Sequence, residues 1–394
     1  MLLKRICSLG IMMLSIWVLV GAWHASAQEG GRALQEVEGS PSLVGDFADL
    51  VVMTPDGRYL YVASEETITA FSFSGGTLRE VDGSPFYVVD DYYYPIDMTI
   101  SPDGRYLYVA HRGFVGRSLL SPITAYLIQP TTGALVELRN SPFTTYASSG
   151  RGLNRVAMMP NGRYVYALNT DDKTIAVFRL NGNTGNLYEN GVVEVGGSTY
   201  TPVDIAISPD NAYLYAANQG FVEDGQFIPL SIYRIDNRNG NLAEVRNSPY
   251  LLPAEGALGF SDIAIHPSGQ YLFLLNSSAR SLTVLELRNR SVPTRSATLS
   301  LDGVDFEPYA LAIHPSGQRI YIASHGFLAR SLLSPLMVVA FSADEEHLAL
   351  ELVDQIAVVS QGEGLGRLAV SMDGHFVLQT NPAMGALHIF KITE

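Results

Sequence analysis

The stretch ISPDGRYLYVAH, residues 100–111, decides the fold, because versions of it occur seven times along the chain. Each version joins a turn of the Pro-Asp-Gly type to an aromatic-rich strand. A unit of about 50 residues that recurs is one supersecondary element, which cannot bury its own faces and must pack on neighbouring copies. The remaining six versions begin at Met53, Met158, Ile207, Ile265, Ile313 and Val370.

The content of each repeat predicts a blade of a β-propeller, built from about four short antiparallel strands. In the fourth repeat these strands begin at Val203, Tyr213, Ser231 and Asn241. Asn239-Gly240 provides the turn between the last two, where the positive φ of a tight hairpin suits glycine. Apolar residues lie on both sides of the strands, so we expect both faces of every blade to be buried against its neighbours.

The two ends of the chain predict how the ring closes. The last repeat, from Gly366 to Thr393, has only three strands. The segment Ala33–Pro41 matches Thr77–Pro85, which is the outer strand of the first repeat. We therefore predict an all-β, seven-bladed propeller in which the N-terminal strand completes the C-terminal blade and leaves no open sheet edge.

The N-terminus has the pattern of a secretory signal. Lys4 and Arg5 precede the apolar run Ile11–Val20, and Ala25-Ser26-Ala27 fits a cleavage site. We expect residues 1–27 to be removed and residues 28–394 to form one propeller domain outside the cytoplasm, either periplasmic or secreted. The alternative is an uncleaved anchor, although the run is short for a membrane span.

Composition narrows the chemistry further. The formal charge of −14 over 394 residues argues against nucleic acid or an anionic membrane as the main partner. No other stretch is long and apolar enough to cross a bilayer. The single cysteine, Cys7, lies within the signal, so disulfides, thiolate catalysis and cysteine metal ligands are excluded from the mature chain.

The repeats alternate in length, and the alternation indicates the functional face. The second, fourth and sixth repeats carry extra residues between their second and third strands, following His111, Asn218 and His325. The Pro-Asp-Gly turns lie on the other face and are tight. Long loops on a rigid scaffold are where binding and catalysis concentrate. We therefore expect a site for a small molecule, a glycan or a protein on the long-loop face, at the channel mouth.

Two histidines, His111 and His325, belong to this long-loop face. They could act as a general base or as metal ligands, or they could simply bond loop backbone. No HExxH, CxxC, GxSxG or phosphate-loop pattern occurs in the chain. We therefore predict no cofactor and no metal centre.

Seven residues stand five positions before the turn anchors, at the predicted mouth of the channel. One interpretation is a polar ligand site, in which Arg155 and Arg367 hold a carboxylate or a carbonyl. The other is structural, with each aspartate capping backbone amides and each arginine paired with an aspartate. The seven are Leu50, Asp97, Arg155, Asp204, Asp262, Ala310 and Arg367.

Two further loop features are candidate ligand contacts. Tyr92, Tyr93 and Tyr94 could stack on a sugar or a peptide, or could equally pack over the second blade. Arg117 and Arg330 each precede a Ser-Leu-Leu-Ser-Pro sequence. The paired leucines either pack against the rim of a blade or form an apolar contact surface for a partner.

The phrase SPDGRYLYVA, together with outer strands of the form L-x-E-V-x-G-S-P-F, resembles the lactonase-type seven-bladed propellers. This family includes the bacterial 6-phosphogluconolactonase-like proteins and the related YVTN-repeat surface proteins. The resemblance extends from about Ala33 to Thr393. It implies hydrolysis of a sugar lactone by a group of His, Glu and Arg side chains at the channel mouth.

Two functional hypotheses follow. In the first, the protein is a non-catalytic propeller that binds a glycan, a peptide or a partner protein outside the cytoplasm. In the second, it is an extracytoplasmic lactone hydrolase. His111 or His325 would then activate water, Asp97 would orient it, and Arg155 or Arg367 would polarise the carbonyl group.

Overall fold

Seven antiparallel sheets surround a central channel in the computed structural model. It describes residues 32–88, 93–113, 120–146, 152–222, 225, 227–253, 258–288, 291–301, 306–326, 333–360 and 364–393. Each sheet is four strands wide, and the innermost strand of each contacts the innermost strands of both neighbours around a closed ring. The predicted seven-bladed propeller is thus confirmed, while the predicted signal segment lies outside the described residues.

The strands are numbered β1 to β32 in chain order. The inner strands border the channel, and the second strands carry the repeated aromatic pattern. The inner strands are β3 (Leu50–Met53), β8 (Tyr93–Ile100), β13 (Arg155–Met158), β17 (Tyr200–Ile207), β22 (Asp262–Ile265), β26 (Phe306–Ile313) and β30 (Leu368–Val370). The second strands are β4 (Tyr59–Ala63), β9 (Tyr106–Gly113), β14 (Tyr164–Asn169), β18 (Tyr213–Gly220), β23 (Tyr271–Asn276), β27 (Arg319–Gly326) and β31 (Phe376–Asn381).

The outer strand is split into two short segments in four blades and is continuous in the other three. The third strands are β5 (Thr67–Ser74), β10 (Leu120–Ile128), β15 (Thr174–Leu180), β19 (Phe227–Ile235), β24 (Ser281–Arg288), β28 (Leu333–Ala343) and β32 (Ala386–Ile392). The outer strands are β1 (Leu34–Glu36) with β2 (Ser42–Leu43), β6 (Thr77–Glu80) with β7 (Phe86–Tyr87), β11 (Leu135–Glu137) with β12 (Phe143–Tyr146), β16 (Leu187–Glu194), β20 (Leu242–Glu244) with β21 (Tyr250–Pro253), β25 (Val292–Ser300) and β29 (Leu348–Val359).

The Tyr-x-Tyr pattern of the repeat connects neighbouring blades. The buried hydroxyl of Tyr61 donates to the carbonyl oxygen of Gly133 in the next blade, at 2.9 Å. The ring of Tyr59 packs so closely on Gly133 that an added Cβ would approach it to 2.2 Å, and the φ of this glycine is +75°. Equivalent hydrogen bonds run from the Tyr108 hydroxyl to the Gly185 carbonyl oxygen and from the Tyr166 hydroxyl to the Gly240 carbonyl oxygen, both at 2.8 Å.

The Ser-Pro pattern of the outer strands has a second repeated role. Where the outer strand breaks, the serine hydroxyl accepts a hydrogen bond from a backbone amide of the third strand. The N-terminal segment makes this same bond in the last blade, where the amide of Ile389 donates to the Ser40 hydroxyl at 2.9 Å. β1 also pairs antiparallel with β32, which confirms the predicted ring closure. In the other three blades with a split outer strand, the equivalent bonds run from the amide of Ala70 to the Ser84 hydroxyl, from Ala125 to Ser141 and from Ile232 to Ser248.

Apart from one short 3₁₀ turn at Pro382–Met384, the secondary structure described is entirely β. Across these same residues, no helix has the length and apolar character needed to cross a membrane.

Candidate functional site

The predicted mouth residues occupy one register around the ring. Asp97 pairs with Ala110, Asp204 with Ala217 and Asp262 with Leu275, each opposite the same position of its second strand. Five of the seven predicted positions line a common cavity of about 160 Å³ within the channel. These five are Leu50, Asp97, Arg155, Asp204 and Arg367.

The three mouth carboxylates clip successive blades together through backbone amides. Asp204 accepts a hydrogen bond from the next amide of its own strand, Ile205, at 2.8 Å. It accepts another from Ile263 of the following blade at 3.3 Å. Asp97 likewise accepts hydrogen bonds from the amide of Met98 in its own strand and of Val156 in the following blade. Asp262 accepts them from the amide of Ile263 in its own strand and of Leu311 in the following blade. These contacts are those of the structural interpretation.

Two arginines balance this negative charge. Arg155 pairs with Asp204 at 3.1 Å, and Arg367 with Asp262 at 3.4 Å. Burial raises the pKa of Asp262, and its hydrogen bond with Asp204 and the charge of that neighbour raise it well above the ordinary value. Burial acts in the same direction on Asp204, but the charge of Arg155 and the bond from Asp262 outweigh it and lower its pKa. Of the two carboxyl groups, Asp262 is therefore the one that keeps its proton to the higher pH.

A cleft of about 260 Å³ on the long-loop face is the best candidate for a ligand site. It combines one histidine, two carboxylates and several apolar and aromatic surfaces, as small-molecule sites commonly do. Its lining residues are Phe47, Asp49, Leu50, Ala63, Ser64, Glu65, Tyr94, Pro95, Ile96, Tyr309, His325 and Pro382.

His325 is the histidine that lines this cleft. Its ring stacks on Tyr309, with centroids 3.8 Å apart and planes 19° from parallel. The Arg367 guanidinium lies over the same tyrosine ring, 5.3 Å from its centroid. Burial lowers the pKa of His325, while the charges of Asp49 and Glu307 and a hydrogen bond with the Leu365 backbone oppose this shift. The imidazole is thus neutral at pH 7.

The backbone that crosses over His325 comes exceptionally close to it. A Cβ on Gly364 would lie 2.5 Å from the Cα of His325, and the φ of this glycine is +94°. Only glycine therefore fits here without displacing the neighbouring strand. The Gly364 backbone therefore packs directly against His325.

His111 does not reach the cleft. It is fully buried within the second blade, where its Nε2 lies 2.7 Å from the Thr124 hydroxyl oxygen. Burial lowers the pKa of His111 to about 3, despite a hydrogen bond with the Tyr94 backbone. The structure therefore gives this side chain a packing position without access to a ligand.

The two histidines are also not equivalent residues of their repeats. Pro95 faces His111 across the strand pair, whereas Pro308, the counterpart of Pro95, faces Ser324. His325 is thus the counterpart of Arg112. Side chains alternate between the two faces of a strand, so a shift of one residue moves a side chain from the blade core to the cleft.

The remaining predicted ligand contacts have mixed outcomes. Tyr94 lines the cleft and is 44% exposed. Tyr93 begins the same strand, β8. Tyr92, Arg117 and Arg330 lie outside the described residues.

Sequence reasoning missed most of the lining residues, including the two carboxylates, Asp49 and Glu65, and the stacking residue Tyr309. Tyr309 is the extra residue of a β-bulge in β26, between Pro308 and Ala310. Ile96 is the extra residue of the corresponding bulge in β8 and lines the same cleft. Asp49 and Tyr309 each directly precede a predicted mouth position, which is the signal that could have identified them.

Larger depressions lie on the tight-turn face. One groove of about 810 Å³ is bordered by Glu286, Arg295 and Asp344. There Arg295 bonds the Glu286 carboxylate at 2.5 Å and the Asp344 carbonyl oxygen at 2.9 Å. Because its central cation is already paired, volume alone does not make this groove the better site. Across the described ranges, no group of three or more His, Cys, Asp or Glu residues is arranged to hold a metal ion.

Fold and cleft together define a seven-bladed propeller with a histidine-lined cleft on its long-loop face. The family described as "Lactonase, 7-bladed beta-propeller" matches residues 50–201 and 115–252. The chain therefore belongs to the lactonase family of seven-bladed β-propellers, as its resemblance predicted.

Three known proteins show how far the similarity extends in sequence and in structure. A 6-phosphogluconolactonase of Formosa agariphila is 32% identical over 136 residues, which span 34% of this chain and only 36% of the relative. The structure of a periplasmic gluconolactonase of Pseudomonas aeruginosa matches with a TM-score of 0.64 and 19% identity, over 89% of this chain and 91% of the other. A hydrazine synthase chain of Kuenenia stuttgartiensis matches with a TM-score of 0.60 and 19% identity, over 91% and 99%. The structural likenesses concern the fold alone.

Proposed function

We propose that this protein is an extracytoplasmic hydrolase of sugar lactones, with its active site in the His325 cleft. The observation that carries the proposal is the placement of His325 in a cleft of suitable size, stacked on Tyr309 and close to carboxylates. The family supports lactone chemistry in general terms. The secretory pattern of residues 1–27 supports a location outside the cytoplasm.

Hydrolysis of a lactone needs a base to take a proton from the attacking water. Neutral His325 can accept that proton. The negative charges of Asp49 and Glu307 stabilise the imidazolium that forms, because both act on this ring. In this arrangement Asp49 takes the supporting role that the sequence suggested for Asp97.

The oxygen of the lactone carbonyl becomes negatively charged as water adds to the carbonyl carbon. Arg367 is the cation adjacent to Tyr309. Burial disfavours its charge, but Asp262, Tyr309 and Asp204 outweigh that effect and raise its pKa. Arg367 thus remains charged and provides the positive field that such a transition state requires.

The test is hydrolysis of a panel of aldonolactones, followed above the spontaneous rate of ring opening. We expect His325→Asn to lower kcat/KM by about 100-fold or more, in line with loss of a general base. His375→Asn is the matched control, since His375 is exposed in a tight turn on the opposite face. Unchanged turnover by His325→Asn would rule out the mechanism.

The pH profile gives a second measurement. Because burial lowers the pKa of His325, kcat/KM should rise with pH to a plateau through a midpoint below the ordinary histidine value of about 6.5. A midpoint above that value would contradict the assignment. Mass spectrometry of the mature N-terminus, together with cell fractionation, tests the cleavage near Ala27 and the location.

One observation favours binding of a partner as a second function. Leu43 is 81% exposed, Tyr87 78% and Phe47 51%. Leu43 follows Ser40-Pro41, and Tyr87 follows Ser84-Pro85 at the equivalent position of the adjacent blade. Exposed apolar groups of this kind occur at contact surfaces. Affinity capture with Leu43→Ser and Tyr87→Ser as controls tests this function independently of catalysis.

A further inference from the structure

We infer that the His325 cleft selects lactones that carry no phosphate or other negative group. This inference rests on the proposed function, since it specifies the substrate class of the same site. It follows from the charges that line the cleft and from those that lie beneath it.

The walls of the cleft offer an anion no cation among the described residues. Asp49 and Glu65 contribute two carboxylates to the lining, which contains neither lysine nor arginine. Glu307 adds a third negative charge that acts on His325. Recognition of a phosphate ordinarily depends on arginine or lysine side chains, or on a cluster of backbone amides.

The two arginines beneath the cleft are already paired. Arg155 bonds Asp204, and Arg367 bonds Asp262 while lying over Tyr309. Their side chains are each only 17% exposed. A dianionic substituent would have to displace a buried carboxylate to reach either guanidinium, whereas a carbonyl oxygen needs only the field that the guanidinium produces.

The apolar part of the cleft suits an uncharged ring. Tyr94 and Phe47 present exposed aromatic surface beside Ile96 and Pro95. Such surfaces stack on the C–H faces of a sugar and gain nothing from a phosphate. The volume of about 260 Å³ lies just under the usual range of roughly 300–1,000 Å³ for small-molecule sites. The cleft therefore has room for a single monosaccharide ring.

The experiment compares an unphosphorylated aldonolactone with its 6-phosphate. We expect kcat/KM for the neutral lactone to exceed that for the phosphate by about tenfold or more at low salt. Salt should narrow this ratio, because ions screen the repulsion. Glu65→Lys should narrow the ratio strongly. Glu66→Lys makes the same change in net charge one residue away, at a side chain outside the cleft lining, and should leave the ratio nearly unchanged.

Binding separates failure of this inference from failure of the proposed function. The corresponding lactam and its 6-phosphate resist hydrolysis, so calorimetry measures their affinities whether or not the protein is catalytic. Tighter binding of the neutral lactam, weakened selectively by Glu65→Lys, supports the inference even if no lactone is turned over. Equal or tighter binding of the phosphorylated lactam, a preference for the phosphorylated lactone, or no binding of either lactam overturns it.

Discussion

The opposite pKa shifts of Asp204 and Asp262 predict that two chemically identical substitutions have unequal costs. Each aspartate caps its own following amide and one amide of the next blade. Replacement by asparagine therefore removes one amide acceptor in either case, at a cost of about 1–3 kcal/mol. Comparing the two variants therefore tests which carboxyl carries the charge that faces its arginine.

Asp262→Asn replaces the carboxyl whose pKa is raised and whose contact with its arginine, Arg367, is the longer one, at 3.4 Å, so we expect the smaller loss, about 1–3 kcal/mol. Asp204→Asn removes the charge that faces Arg155 at 3.1 Å, where the two side chains are 8% and 17% exposed. Breaking a buried pair in this way leaves an uncompensated cation and costs about 3–5 kcal/mol. Guanidinium unfolding at pH 7, with equal m-values, measures both losses.

The pH dependence of stability tests the direction of the Asp262 pKa shift independently. The pKa of Asp262 is higher in the folded protein than its ordinary value of 3.8, so the folded state retains a proton that the unfolded chain releases. The resulting stabilisation is complete below about pH 3.8 and is lost as pH rises through the folded pKa. Asp262→Asn should remove this dependence. A larger loss for Asp262→Asn than for Asp204→Asn, or an unchanged pH dependence, would refute the opposite shifts assigned to the two carboxyl groups.

Two further predictions concern the ring closure and the crossing over the cleft. Ser40→Ala should cost about 1 kcal/mol in unfolding free energy, similar to the internal Ser84→Ala, because each hydroxyl accepts a hydrogen bond from the equivalent amide of its own third strand. No loss for Ser40→Ala would argue against this closure contact. Gly364→Ala should lower both thermal stability and lactonase activity through its contact with His325, whereas Gly182→Ala, whose Cβ meets nothing within 4 Å, should be neutral in thermal melts.

The fold was predictable because the repeat encodes contacts between blades, which recur with it. Tyr61 and Gly133 illustrate this: the aromatic pattern and the hairpin glycine are two halves of one contact. The ring closure was predictable for the same reason, because Ser40-Pro41 repeats the Ser-Pro sequence of the outer strands. The register of the mouth aspartates followed directly from the spacing to the turn anchors.

The cleft was only partly predictable. Aligning the loops at their histidines paired His111 with His325, whereas aligning them at the strand-ending Gly113 and Gly326 gives the register found in the structure. That signal was present in the sequence. The bulge that directs Tyr309 into the cleft was not, because an extra residue in one strand is defined only by the partner it fails to pair with.

The long blades show why one region of a nearly symmetric ring can become a site. The scaffold position of His325 is held by Arg112 in the second blade and by Gln219 in the fourth. The bulged position of Tyr309 is held by Ile96 and Val203 in those blades. A histidine introduced at Arg112 would therefore lack both the stacking tyrosine and the carboxylate that Glu307 supplies. The proposed chemistry at this cleft depends on three departures from the repeat within one blade, namely Glu307, Tyr309 and His325. The backbone of the other two long blades provides the same three positions.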